Sequence, residues 1–264
     1  MAIPKLLWLL LALQIIHSSS AIDLHPTDVF ILAGQSNMAG RGGVDKRKWN
    51  GFILPECRPN PSILRLNAQF KWELARDPLH ADIDVGKTCG VGPGMAFANG
   101  IKANESRIGV VGLVPCAVGG TKISKWAQGT RLYNQLVSRA NESVRYGGRI
   151  RAILWYQGES DTVWRKDAEA YKGKMEGLIG SLRRDLNIPN IPVIQVALAS
   201  GEGRYTELVR RGQLAIKLPN VEFVDAKGLS LKADKLHLAT TSEVHLGLKL
   251  ADAFITSFGH MLSN

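Results

Sequence analysis

Ser36 stands in the tetrapeptide Gly34-Gln35-Ser36-Asn37, directly after the apolar run Asp28–Ala33 and just before the glycine-rich Gly40–Gly43. A serine on a strand-to-helix turn exposes its Oγ at the top of a sheet, but a hydroxyl is a weak nucleophile until a base takes its proton. Far along the chain, Asp234 and His237 stand three apart in "DKLHL". His237 Nε2 suits the base, and Asp234 suits the partner that holds Nδ1–H and stabilises the imidazolium. Acyl transfer also develops negative charge on the former carbonyl oxygen, which needs preorganised donors. The candidates are the Ser36 amide, an amide of Gly119 or Gly120 in "CAVGGT", and the side-chain amide of Gln157 in "WYQGESD". Losing one such donor costs about 2.7–4 kcal/mol of barrier. The set points to a serine ester hydrolase, a chemistry that needs neither metal nor organic cofactor. No Cys-x-x-Cys spacing suggests a zinc site.

Each residue also has a plainer reading. Ser36 alone is a good helix cap, Asp234 begins a turn, and paired glycines serve any tight bend. Glu159 and Asp161 invite a glycosidase, which works with two carboxylates. That reading leaves Ser36 and both glycine turns without a role, so Glu159 is read as an anchor for its loop. His245 lies inside a helical pattern and is read as structural or exposed. Trp155 reads as core, whereas Trp126 is open between core and sugar stacking.

The elements that must position these residues follow from hydrophobic patterning. Five β-branched runs, at 28–33, 108–114, 150–156, 192–199 and 221–225, are continuously apolar rather than alternating. That is the signature of strands buried on both faces of a parallel sheet. Helical stripes lie between them at 167–187 and 205–217, and one at 241–258 closes the chain. Strands alternating with helices predict an α/β fold, a three-layer α/β/α sandwich on a mainly five-stranded parallel sheet. Ligands bind beyond the carboxyl ends of such strands, which is where Ser36, Gly119 and Gln157 fall. The stretch 41–94, rich in Gly, Pro and Asn, reads as a long loop excursion with a short helix or hairpin beside the site.

With these blocks in view, the chain resembles the SGNH hydrolase superfamily, specifically the plant carbohydrate esterase group related to sialate O-acetylesterases. "GQSNMAGRG" is similar to that group's nucleophile block, "GGTKISKW" to its second, "WYQGESD" to its third and "DKLHL" to its last. The four appear in order from Asp28 to the final helix. The resemblance implies Ser36 as nucleophile, His237 as base, Asp234 as its partner, and oxyanion donors at Ser36, the Gly119–Gly120 turn and Gln157. The wider superfamily often carries Asn where this chain has Gln157, a longer donor. The function expected is hydrolysis of O-acetyl or other O-acyl esters on carbohydrate, cell-wall polysaccharide being the substrate class. The alternative is a non-catalytic carbohydrate-binding protein on a hydrolase scaffold.

Composition sets the setting. The 264 residues are 45% hydrophobic and 21% charged, ordinary for a globular protein with a large core. Lys5, the apolar run Leu6–Ile16 and the small residues Ser19 and Ala21 read as a secretory signal peptide over 1–21. The run is shorter than the roughly 18–20 residues a membrane span needs. Residues 22–264 then form one esterase domain, secreted to the plant apoplast or cell wall, with no membrane anchor. Asn104-Glu105-Ser106 and Asn141-Glu142-Ser143 are N-glycosylation acceptor triplets on that route. Among the three cysteines, Cys57 with Cys89 is the expected disulfide, leaving Cys116 buried. A net charge of +10 favours electrostatic attraction to acidic wall polysaccharide. No basic–aromatic cluster suggests nucleic acid.

Overall fold

A computed structural model describes residues 25–263. The segment 1–21, expected to be a signal peptide, lies outside the described residues. The first strand, β1 (Asp28–Gly34), is buried along its whole length. It pairs in parallel with β6 (Val111–Pro115) on one side and β7 (Arg149–Tyr156) on the other. Beyond β7 lie β8 (Val193–Ala197) and β9 (Val221–Asp225), also parallel. These five strands are the five apolar runs of the sequence, and β9 keeps its bounds.

The sheet is wider than expected. Two strands from the presumed excursion, β4 (Ile63–Leu66) and β5 (Trp72–Leu74), extend it past β6 to give seven strands in the order β5-β4-β6-β1-β7-β8-β9. β4 runs parallel to β6, and β5 is the single antiparallel strand. Ahead of them β2 (Val44–Asp45) and β3 (Lys48–Trp49) form a separate small hairpin.

Helices cover both faces. Phe30 and Ala33 are three apart on β1 and so point to opposite faces. Phe30 meets Phe97 and Phe254 edge-on at 4.9 and 5.0 Å. It thereby joins β1 to α2 (Pro93–Asn104) and α6 (Thr240–Phe258), which pack on each other. On the other face Trp155, register partner of Ala33, packs edge-on against Trp126 at 5.3 Å. Here lie α3 (Arg131–Ser143), α4 (Arg165–Asp185) and α5 (Thr206–Leu214). The stripe residues Met175, Leu178, Ile179 and Leu182 of α4 are all buried, as their periodicity predicts.

The chain places β4 and β6 on one side of β1 and then crosses to β7 on the other. The crevice at that reversal, past the carboxyl end of β1, is where open α/β sheets take their ligands.

The expected Cys57–Cys89 disulfide is not formed. All three cysteines are buried free thiols. Cys57 lies against Asp77, whereas Cys89 donates to His80 O at 3.6 Å and accepts from Arg41 Nη1 at 3.4 Å. Each sulfur is held in its own surroundings. Among the described residues no helix is long and apolar enough to cross a membrane.

Candidate active site

The nucleophile candidate sits on a sharp bend. Gly34 ends β1 at φ 128°, a region L side chains rarely adopt, and a β-carbon there would lie 2.0 Å from Tyr156 O. Only glycine lets the chain turn so close to β7. Beyond it, Gln35 N–H donates to Tyr156 O at 2.8 Å, and Ser36 opens the single-turn α1 (Ser36–Ala39). The Ser36 residue is 5% exposed.

His237 arrives from a tight loop before α6. Lys232 N–H donates to His237 O at 2.8 Å, and Lys235 takes a left-handed φ of 55° to close the turn. Within it Asp234 Oδ1 accepts from the amides of Leu236 at 3.0 Å and His237 at 2.9 Å. Asp234 Oδ2 lies 2.9 Å from His237 Nδ1, and His237 Nε2 lies 3.0 Å from Ser36 Oγ. With the proton on Nδ1 donated to the carboxylate, Nε2 is left to accept the serine hydroxyl.

The electrostatics suit that tautomer. Burial opposes the Asp234 charge, but the His237 amide and ring and the Leu236 amide outweigh it and hold the carboxyl down at about 2. Burial lowers the His237 pKa below its ordinary value. The Asp234 carboxylate pulls it back up, and the Arg41 and Lys232 charges push it down again.

A second polar group brackets the histidine. Asn37 Oδ1 accepts from Leu238 N at 3.0 Å, while its Nδ2 donates to Leu236 O at 3.4 Å and to Glu159 Oε1 at 2.7 Å. The residues on either side of His237 are thus tied to the residue after Ser36. Glu159 is fully buried. Burial pushes its carboxyl up to about 7, against its own backbone amide and the Asn37 amide, with Glu202 and Asp161 adding to the rise.

Of the two glycines, Gly119 lies against the serine. A β-carbon on Gly119 would stand 3.4 Å from Ser36 Cβ, 3.1 Å from Asp84 Oδ2 and 2.6 Å from Arg41 Nη2. Gly120, at φ 70°, faces open space. Neither the Ser36 amide nor the Gly119 amide has an acceptor among the described residues. The Arg41 guanidinium beside them is buried, paired with Asp84, and donates to Gly40 O at 2.9 Å. From Gly119 a cleft of about 990 Å³ opens between the 82–87 loop and α3, with Phe70, Lys87, Arg131 and Asn134 in its walls.

Comparison with known sequences and structures places this arrangement. Residues 26–256 match the family described as carbohydrate esterase, sialic acid-specific acetylesterase. The chain belongs to that family. It is 56% identical over 240 residues to a probable carbohydrate esterase of Arabidopsis thaliana, covering 88% of this chain and 92% of that one. A crystal structure of that Arabidopsis protein superposes with a TM-score of 0.86, covering 88% of this chain and 99% of that one. NanS, at 17% identity, shares the fold with a TM-score of 0.71 over 90% of this chain and 99% of its own. So does a carbohydrate acetylesterase of Xanthomonas citri, at 20% identity and a TM-score of 0.62, over 88% of this chain and 57% of its own. The seven-stranded, mostly parallel fold is that of SGNH-like carbohydrate esterases.

Within this family member the structure brings Ser36, His237, Asp234 and Gly119 together. Gln157 does not join them. Its Nε2 donates to Asp161 Oδ2 at 2.6 Å and to Thr121 O at 2.8 Å, so both amide hydrogens are already engaged. Gln157 ties the loop after β6 to the loop after β7. Trp126 and Trp155 are both fully buried, so neither presents a ring to a sugar. The sequence reading missed Arg41 and Asn37, although both lie in the block around Ser36. Their types were visible; their partners Asp84, Leu236 and Leu238 were not. Glu159, expected to anchor its loop, does so through Asn37. His245 is exposed on α6.

Proposed function

We propose that this protein is a secreted serine esterase that removes O-acetyl groups from carbohydrate, with cell-wall polysaccharide as its substrate class. The observation that carries the reading is the file Ser36 Oγ–His237 Nε2–Asp234, at 3.0 and 2.9 Å, in a carbohydrate esterase family. The N-terminal pattern from Lys5 to Ala21 supports secretion, and the +10 charge suits an acidic wall.

In this reading Ser36 Oγ attacks the ester carbonyl carbon while its proton passes to His237 Nε2. The carbonyl electron pair moves to oxygen, where the amides of Ser36 and Gly119 donate to it. Arg41 adds a fixed positive charge beside the same point. As the tetrahedral intermediate collapses, the bond to the sugar oxygen breaks and His237 returns the proton to that oxygen. The freed sugar leaves an acetyl group on Ser36. Water, losing a proton to His237, attacks the acetyl-enzyme, and the proton then goes back to Ser36 as acetic acid departs. Asp234 keeps the ring oriented and steadies its charged form at each transfer. The cleft beyond Gly119 takes the sugar.

The test is acetate release from 4-nitrophenyl acetate and from acetylated xylan and pectin. Ser36→Ala should lower kcat by at least about 10⁴-fold with the melting temperature nearly unchanged. Undiminished turnover in the variant overturns the nucleophile assignment. Glycan binding without acetate release by the wild type would replace the esterase with the binding-protein reading.

A further inference from the structure

A second depression at the same sheet edge is unaccounted for by ester cleavage. It encloses about 970 Å³ between the loops that follow β6, β7 and β8. Trp164 forms one wall and is 61% exposed, unusual for the largest apolar side chain. Tyr205 also lines it, with the Arg204 guanidinium 5.0 Å above its ring and Arg204 Nη2 donating to its hydroxyl at 2.8 Å.

The walls are rigid. Tyr205 N–H donates to Thr162 O at 3.0 Å, Gly203 N–H to Thr162 Oγ1 at 2.7 Å, and Glu202 N–H to Glu159 O at 3.2 Å. Ile123 N–H, from the third loop, donates to Asp161 Oδ2 at 2.9 Å. Three loops are thus fastened to one another. They are fastened to the active site as well, because Gln35 Oε1 accepts from Gly158 N and Ser160 N, both at 3.5 Å. Loops fastened in this way present Trp164 and Tyr205 at fixed backbone positions, which reduces the ordering cost of binding.

The lining charge is one-sided. Four cations, Lys122, Arg165, Lys166 and Arg204, line the depression against a single carboxylate, Asp167. Lys122 pairs with Asp167 at 2.7 Å, and Arg165 with Glu169 at 2.8 Å. That leaves Lys166 and Arg204 as the positive surplus facing an incoming ligand. Aromatic faces take the apolar faces of sugar rings, and guanidinium or ammonium groups take carboxylates.

We propose that the Trp164–Tyr205 depression is a subsite for an acidic polysaccharide, a chain with uronate residues whose acetylated sugar lies at Ser36. This deepens the esterase reading and rests on it for the placement of the acetylated unit. The polymer runs from the cleft at Gly119, past the serine, onto the aromatic wall. Trp164 stacks on a ring, and Arg204 and Lys166 meet its carboxylates.

Two measurements test it. Retardation in gels containing polygalacturonate reads binding directly and does not depend on catalysis. The wild type should be retarded, less so as salt rises, and Trp164→Ala and the double variant Lys166→Glu with Arg204→Glu should each be retarded clearly less than the wild type. In kinetics, the ratio of kcat/KM on acetylated pectin to that on 4-nitrophenyl acetate should fall about tenfold in Trp164→Ala. Equal retardation by a neutral xylan gel, or an unchanged ratio, overturns the subsite. If the wild type cleaves neither ester but is still retarded through Trp164, the esterase reading fails and the subsite stands.

Discussion

Ser36 and His237 meet in one hydrogen bond, yet they arrive on opposite kinds of support. Ser36 grows out of a strand buried along its whole length, through a glycine that no other residue can replace without striking β7. His237 sits on a short surface loop whose Asp234 side chain is 41% exposed. The serine is positioned by the core. The histidine is positioned by a handful of polar bonds, from Asp234 inside the loop and from Asn37 outside it. Damage near Ser36 therefore threatens the fold, whereas damage around His237 should cost alignment first.

Asp234→Asn should give the largest effect on the histidine side. It removes the acceptor that holds Nδ1–H, and kcat should fall roughly 10³–10⁴-fold with little change in melting temperature. A loss below tenfold would show that the surrounding loop alone orients the ring.

Asn37→Ala comes next. It releases Leu236 and Leu238 together and strips Glu159 of its donor. We expect kcat to fall about 10–100-fold through misalignment, with about 1–3 kcal/mol of stability lost to the stranded buried carboxyl. Wild-type kcat with reduced stability would make Asn37 a purely structural residue and dissolve the contrast between the two supports.

The glycine pair gives a smaller, directional test. Gly119→Ala places a methyl against the Arg41 guanidinium and Ser36, so kcat/KM should drop about tenfold. Gly120→Ala meets no neighbour, and only its φ of 70° is penalised, by roughly 1–2 kcal/mol of stability. Reversed activities would move the donor role to Gly120.

The pH profile sharpens the picture most gently. Because burial depresses the His237 pKa, the neutral ring persists below the ordinary value of about 6.5. The acid limb of kcat/KM should therefore have its midpoint below that value. Removing the Asp234 charge, which raises the pKa, should move the residual activity of Asp234→Asn further toward acid. A wild-type midpoint at or above 6.5 would mean that the carboxylate outweighs burial.

Strands buried on both faces leave long apolar runs, and so β6, β1, β7 and β8 were legible as the sheet's centre, whereas β9, read the same way, lies at the sheet's edge and is largely exposed. The short strands Ile63–Leu66 and Trp72–Leu74, which extend the sheet past β6, were not legible, because three or four residues amid Gly, Pro and Asn carry no period. Helix Pro93–Asn104 was hidden for a different reason. Its buried side, packed against β1 and α6, is broad, and its polar residues are few (Asn99, Lys102 and Asn104), so its amphipathic pattern is weak. Among the tryptophans, residue type was silent about exposure. Trp126 and Trp155 pack against each other inside the molecule, whereas Trp164 stands in solvent.

The side chains proposed to carry the chemistry, and the family they mark, were legible along the chain: an alcohol after an apolar run, a carboxylate three before an imidazole, glycines after a strand. These are local patterns, and local sterics and burial write them into one dimension. Direction was settled only in three. That Gly119 rather than Gly120 lies against the serine, that Gln157 spends both amide hydrogens on Asp161 and Thr121, and that Asn37 brackets His237 all depend on partners brought together by folding. The bond between Ser36 and His237 itself spans 201 residues of chain. Hydrogen bonds are short and directional, so their partners are chosen by where the packed sheet leaves each atom, and no spacing along the polymer records that choice.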